Sequence, residues 1–193
     1  PEVALQVVSQ PIMLGLVDII KEDTTGLEGP TDKQIEIAQK VAQGQPLTPE
    51  EDALAEQLSP RDKANKNRIF ALYTLAMILK LQKDQLTQFA STQEANQQQP
   101  VTLGLQDLVG YNEIVDVIKN DPRPEVKVAA IQTLRFISDP QDEATVKAVL
   151  ADALNSDDES IKAAAQEAIS SFAATQEAGQ QEQAAEQQTQ AAA

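Results

Sequence analysis

The side chains best placed to do chemistry are two acidic groups, Asp139 with Asp142 and Glu143, and Asp157 with Asp158 and Glu159. Carboxylates this close could hold a hard cation, but a calcium loop alternates its ligands around a central Gly and neither group does. Each stands just before a helical pattern, where an anionic side chain caps free N–H groups and complements the helix dipole. The same holds for Glu22 and Asp23 ahead of Gly26.

The chain has no Cys and no His. Disulfides, thiolate zinc sites and a Cys nucleophile are therefore excluded, and the commonest general base and neutral metal ligand are missing. The seven Gly are scattered, with no phosphate-cradling GxxxxGK or GxGxxG. Nothing singles out two of the acids for glycoside or peptide hydrolysis. The expectation is a chain that is not an enzyme, with no catalytic residues, no cofactor and no metal.

A net charge of −15 opposes nucleic acid and anionic lipid as partners. The charge is uneven: residues 1–60 carry 3 basic and 11 acidic side chains, 61–135 carry 10 and 8, and 136–193 carry 2 and 11. Arg61, Lys63, Lys66 and Arg68 form the one basic patch. It reads either as a contact for an acidic partner or as a solvated helix start in which Arg68 braces a neighbouring unit. The longest mostly apolar run, Ile69 to Leu81, is too short to span a bilayer. No secretory signal is visible, and Pro1 fits either loss of an initiator Met or a trimmed fragment, so the expected setting is cytoplasmic.

The elements that carry these groups are helical, because Ala, Gln, Glu, Leu, Lys and Asp dominate and aromatics are only 3%. Leu5, Val8, Ile12, Leu16, Ile19 and Ile20 lay a stripe along a first helix that Pro11 should divide or kink. Thr31 or Asp32 caps a second helix ended by Gly44. Thr48, Pro49 and Glu51 open a third that runs to about Leu58, and Ser59-Pro60 ends it. Residues 62–90 form the longest periodic segment, and the apolar content on nearly all its faces predicts a central helix buried between neighbours. Phe70, Tyr73, Phe136 and Phe172 are accordingly expected in the core.

Beyond Val101 the chain repeats. Residues 125–137 align with 160–172 at an offset of 35, pairing Val126 with Ile161, Ala130 with Ala165 and Leu134 with Ile169. The preceding helices align at an offset of 36, Ile114 with Leu150 and Ile118 with Leu154. A weaker copy appears at an offset of 59, where Arg68 meets Lys127, Ala71 meets Ala130, Leu75 meets Leu134 and Ile78 meets Ile137. The helix at 49–58 would be its partner. Each unit is helix, short polar turn, helix, at a period typical of paired-helix solenoids.

Asp121, then Pro124-Glu125-Val126-Lys127, Ala129-Ala130 and Leu134, then Asp139-Pro140, resembles the HEAT repeat in its phycobilin-lyase-like form, over residues 106–173. The resemblance implies an all-α, HEAT-like α-solenoid or armadillo-like helical stack with an N-terminal helical cap. It also implies that an Asp in the turn and a basic residue at the start of the second helix brace successive repeats, positions held here by Asp121, Lys127 and Lys162. The organisation is then an N-terminal helical region over 1–100, with a divergent repeat at 49–90, HEAT-like repeats over 101–174, and a Gln/Ala-rich tail over 175–193.

Such a stack offers a concave surface suited to a protein or peptide segment. The expected function is an interaction adaptor or scaffold, with Tyr73, Gln132, Arg135 and Glu167 as outward contact residues. Two other classes stay open: an accessory subunit related to phycobilin lyases, and an assembly component whose acidic, Gln/Ala-rich tail engages copies of itself.

Overall fold

A computed structural model describes residues 2–93 and 104–172, with side chains over 10–85 and 104–172. The Gln/Ala-rich tail and the QQQP segment lie outside the described residues. Seven helices have both ends described: α1 (Glu2–Ile20), α2 (Asp32–Ala42), α3 (Pro49–Ala55), α4 (Pro60–Gln93), α5 (Tyr111–Asn120), α6 (Pro124–Ile137) and α7 (Glu143–Leu150). An eighth, α8, occupies residues 159–172. Among the described residues there is no strand, and no helix is long and apolar enough to cross a membrane.

Local chemistry sets most boundaries. Thr31 caps α2 by accepting from the Gln34 N–H while the Gln34 side chain accepts from the Thr31 N–H at 2.8 Å, and Thr48 with Glu51 does the same for α3. Gly44, at φ 67°, ends α2 in the left-handed conformation that glycine adopts without strain. Ser59 Oγ accepts from the Asp62 N–H at 3.1 Å, so Ser59-Pro60 opens α4 rather than merely ending α3, which stops at Ala55. The first helix is not divided: α1 runs through Pro11, whose ring faces outward where its missing N–H disturbs no packing.

One core joins α1, α4, α5, α6, α7 and α8, with Ile20, Leu72, Leu75, Leu79, Ile114, Ile131, Leu134, Ile137, Leu150 and Ala165 fully buried. α1 lies antiparallel along α4, since Ile20 meets Arg68 near the start of α4 while Val17 lies level with Leu75. Gly110 sits at that crossing with φ 84°. A Cβ there would come within 2.8 Å of Leu75 and 3.2 Å of Val17, so the chain can enter α5 only through glycine.

α5 and α6 form an antiparallel pair around the turn at Asp121. α6 then runs parallel to α4: Asn65 Nδ2 donates to Glu125 Oε1 at 3.2 Å near their starts, the Tyr73 hydroxyl to Gln132 Oε1 at 2.6 Å midway, and Lys83 Nζ to Asp142 Oδ2 at 2.6 Å beyond the end of α6. These partners are 59 or 60 residues apart. The offset that aligned the weak third copy in the sequence is thus also the spacing at which the two helices touch.

Two expectations are corrected. The helix packed along α4 is α1, and α3 packs chiefly on α2 as a hairpin, where Lys40 Nζ donates to Glu51 Oε1 at 2.7 Å. Nor is α4 buried all round. It packs on α1 and α6 through one broad face, so Phe70, Tyr73, Met77 and Leu81 on the other face are exposed, as is Phe136 on α6. Phe172 is buried as expected.

Candidate functional site

The four residues nominated as contacts come together as two pairs on one surface. Tyr73 on α4 donates its hydroxyl hydrogen to Gln132 on α6, and Arg135 Nη1 donates to Glu167 Oε1 on α8 at 2.5 Å. Gln132 and Arg135 are three residues apart and so share a face of α6. The result is a row of polar side chains crossing three helices in succession, all of them accessible to solvent. Beside it, between α6 and α8, opens a groove of about 440 Å³ whose wall includes Phe136, Pro140 and Phe172.

This surface is held from behind by two ionic clamps, both from α4. Near its start, the Arg68 guanidinium pairs with the buried Asp121 carboxylate and donates through Nε to the Ile20 carbonyl at 2.8 Å. Asp121 Oδ1 also accepts from the Arg123 N–H at 2.9 Å, which fixes the turn into α6. Fifteen residues on, buried Lys83 donates to Asp142 at 2.6 Å, Asp139 at 2.7 Å and the Ile137 carbonyl at 3.3 Å. Each cation therefore sits at a helix C-terminus, a favourable position for positive charge: Lys83 takes the last carbonyl of α6 and the carboxylates of the turn that follows it, whereas Arg68 joins the last carbonyl of α1 to the turn after α5.

Asp139 joins this second clamp to the groove, since it also accepts from Lys80 at 2.9 Å. Burial raises its carboxyl pKa, but the hydrogen bonds from Lys83 and Lys80 outweigh that and hold it below the usual aspartate range. Lys80 is affected in the reciprocal sense: burial lowers it, while Asp139 and Asp84 together leave it raised.

The basic patch separates into unlike members. Arg68 is buried in the first clamp, whereas Lys63 and Lys66 are exposed and make no ion pair among the described residues. Arg61 lies against the loop at Gly29, where its guanidinium fills the space a Cβ would need. The bracing implied for Lys127 and Lys162 takes another form. Lys127 donates to the Lys119 carbonyl at 3.0 Å and Lys162 to Glu159 at 2.7 Å, while the Asp-to-cation brace is made by Arg68, the residue aligned with Lys127.

The acidic groups differ: Asp158 caps α8 as its position suggested, but among the described residues no side chain caps the start of α7, and Asp23 closes a turn by accepting from the Thr25 N–H at 2.9 Å instead of capping a helix. Asp158 Oδ1 accepts from the Ser160 N–H at 2.9 Å, and Asp142 accepts from the Asp139 N–H at 2.9 Å besides taking Lys83. Among the described residues, no three acidic side chains converge as a metal site would require.

Lys83 and the bare face of α4 were missed in the sequence. Lys83 follows Leu72 by eleven residues and Leu79 by four, which puts a lone cation on the apolar stripe and signals a buried partner. No family model matches the chain, and no curated protein or solved structure matches it.

Proposed function

We propose that the chain is a non-catalytic, HEAT-like adaptor in which α1 with α4, α5 with α6 and α7 with α8 are three successive helix pairs, and α2 with α3 is a hairpin inserted into the first. The observation that carries this reading is the register of α4 against α6. Corresponding second helices of a stack lie parallel and in step, so residues one repeat apart should meet side by side. The Tyr73–Gln132 contact does so at the offset of 59 read from the sequence. Arg68 bracing the Asp121 turn supports it further, as does α8 lying beside α6 through Arg135 and Glu167.

In this reading the partner is a protein or peptide segment that lies across the second helices and contacts Gln132, Arg135 and Glu167, with Tyr73 at one margin. Its backbone and side chains would compete for the hydrogen bonds that these four now make with one another. The groove beside Phe136 has a mixed wall, with Gln132, Arg135 and Asp139 alongside Phe136 and Pro140, and so suits a segment that offers both polar and apolar groups.

The test uses the full chain as bait in an extract of its native source, followed by titration of each identified partner, purified, against wild type, Arg135→Glu and Gln132→Ala. A partner of this surface binds Arg135→Glu at least about tenfold more weakly, a change of roughly 1.4 kcal/mol. Undiminished binding of every partner to both variants would remove the assignment.

A further inference from the structure

Among the described residues no helix packs over a row of large apolar side chains on α4, in which only Tyr73 reaches a neighbour, through its hydroxyl to Gln132. Phe70, Tyr73, Met77 and Leu81 follow at steps of three, four and four residues, so they line up along one face. They are 71%, 42%, 57% and 58% exposed. An isolated apolar side chain on a surface is ordinary, but four in line on one helix mark a contact.

Charges bound this row in a self-complementary way. Lys66 precedes it and Asp84 follows it, eighteen residues apart, which is about five turns of helix, so the two share one azimuth, on the Tyr73 side of the row. Both are exposed, and among the described residues Lys66 has no ion-pair partner and Asp84 is engaged only by the neighbouring Lys80 at 3.3 Å. The midpoint between Lys66 and Asp84 is position 75, which is also the midpoint between Tyr73 and Met77 and close to that between Phe70 and Leu81. An arrangement of this kind is symmetric about its centre in size and opposite in charge at its ends.

We propose that this face of α4 binds the same face of a second copy, antiparallel, about a two-fold axis at the level of residue 75. The axis sets Tyr73 against Met77, Phe70 against Leu81, and Lys66 of each copy against Asp84 of the other. A two-fold axis normal to the plane of two antiparallel helices keeps features from one edge on one edge, so both ion pairs form on the side where Lys66 and Asp84 already lie. Self-association must overcome a net charge of −15 on each chain, and α4 lies in the one part of the sequence where basic residues outnumber acidic ones. One helix pair from each copy is a small interface, so the dimer dissociates in roughly the micromolar to tens-of-micromolar range.

The inference does not depend on the adaptor reading, because its test involves no other protein. Sedimentation equilibrium of the full chain over roughly 1 to 500 μM is expected to show the mass rising from 20.9 kDa towards twice that value. Met77→Glu and Phe70→Glu, whose helical far-ultraviolet signal should persist because both sites are exposed, are expected to stay monomeric throughout. Lys66→Asp and Asp84→Lys should each weaken the dimer several-fold, and the two together should restore it by reversing both ion pairs. The chain has no Cys, so Thr74→Cys near the axis gives a clean site for a short bismaleimide, which should link two copies. A monomeric mass at every concentration overturns the proposal. A dimer indifferent to Met77→Glu and Phe70→Glu overturns the surface, and failure of the charge swap to restore association overturns the antiparallel register.

Discussion

Arg68 and Asp121, 53 residues apart in the chain, form an ion pair whose side chains are 6% and 4% exposed. Desolvating two charges largely cancels their attraction, so a buried pair adds little net stability over an apolar pair of the same shape. Removing one partner is different, because the other charge is left in the core without compensation. Arg68→Met and Asp121→Leu should each cost about 3 to 5 kcal/mol, and the double variant should recover most of that loss. Urea unfolding of the four proteins measures this directly. Additive single losses would show that the charges are not coupled.

Ala130 has no solvent exposure and lies in the core between Val126 and Leu134 on α6. An aspartate there would carry its charge into that apolar cluster. Ala130→Asp should therefore lose at least about 3 kcal/mol, a large part of the stability of a domain this size. The check is the melting temperature by circular dichroism, where an unchanged value would contradict the burial of this face.

Much of this framework was legible before any coordinates. The cap at Thr48 was readable because it needs only residues three apart, the one at the start of α2 was narrowed to Thr31 or Asp32 and is Thr31, and the burial of Ala130 followed from periodicity within one helix. The face shared by Gln132 and Arg135 was readable for the same reason, and the repeat offset carried it across to Tyr73 and Glu167. Less local facts were hidden. That α1 rather than the helix at 49–58 packs along α4 depends on a contact across more than forty residues, for which neither helix carries a local signal. The segment around Phe70 and Met77 is apolar on two faces, and composition cannot say how many neighbours a helix has. Only the packing on α1 and α6 reveals which face stays bare.

Thr133 is buried on α6, and its hydroxyl has no hydrogen-bond partner among the described residues. A polar group desolvated without compensation is a net cost, and valine fills almost the same space without it. Thr133→Val should raise stability by about 1 kcal/mol, read as a higher urea midpoint at unchanged slope. A lower midpoint would mean that the hydroxyl is satisfied in solution.

Stability in acid depends on Glu51, whose carboxyl is held ionised by its partners in the α2–α3 hairpin. The hydrogen bond from Lys40 comes first among the causes that push its carboxyl down to about 2, with that from the Thr48 N–H next. Asp139, raised by burial and lowered further by Lys83 and Lys80, lies below its usual value too. A carboxyl depressed by folding contributes stability that is fully present above its unfolded value, near 4.5 for glutamate, and that is lost as pH falls towards the folded one. Lys80 has the opposite sign. Its pKa is raised, so its contribution is present below about 10.5 and is lost as pH climbs through the higher folded value. With no His to titrate between these limits, the melting temperature should be nearly flat from about pH 5 to 9 and fall steeply below about 4.5. Lys40→Met removes the first cause of the Glu51 shift, so the Glu51 carboxyl carbon, followed by NMR, should titrate near 2 in the wild type and distinctly higher in the variant. A wild-type midpoint above 4 would show that the α2–α3 hairpin is not held by this pair, and the loss of stability in acid would then have to be assigned to the clamp at Asp139.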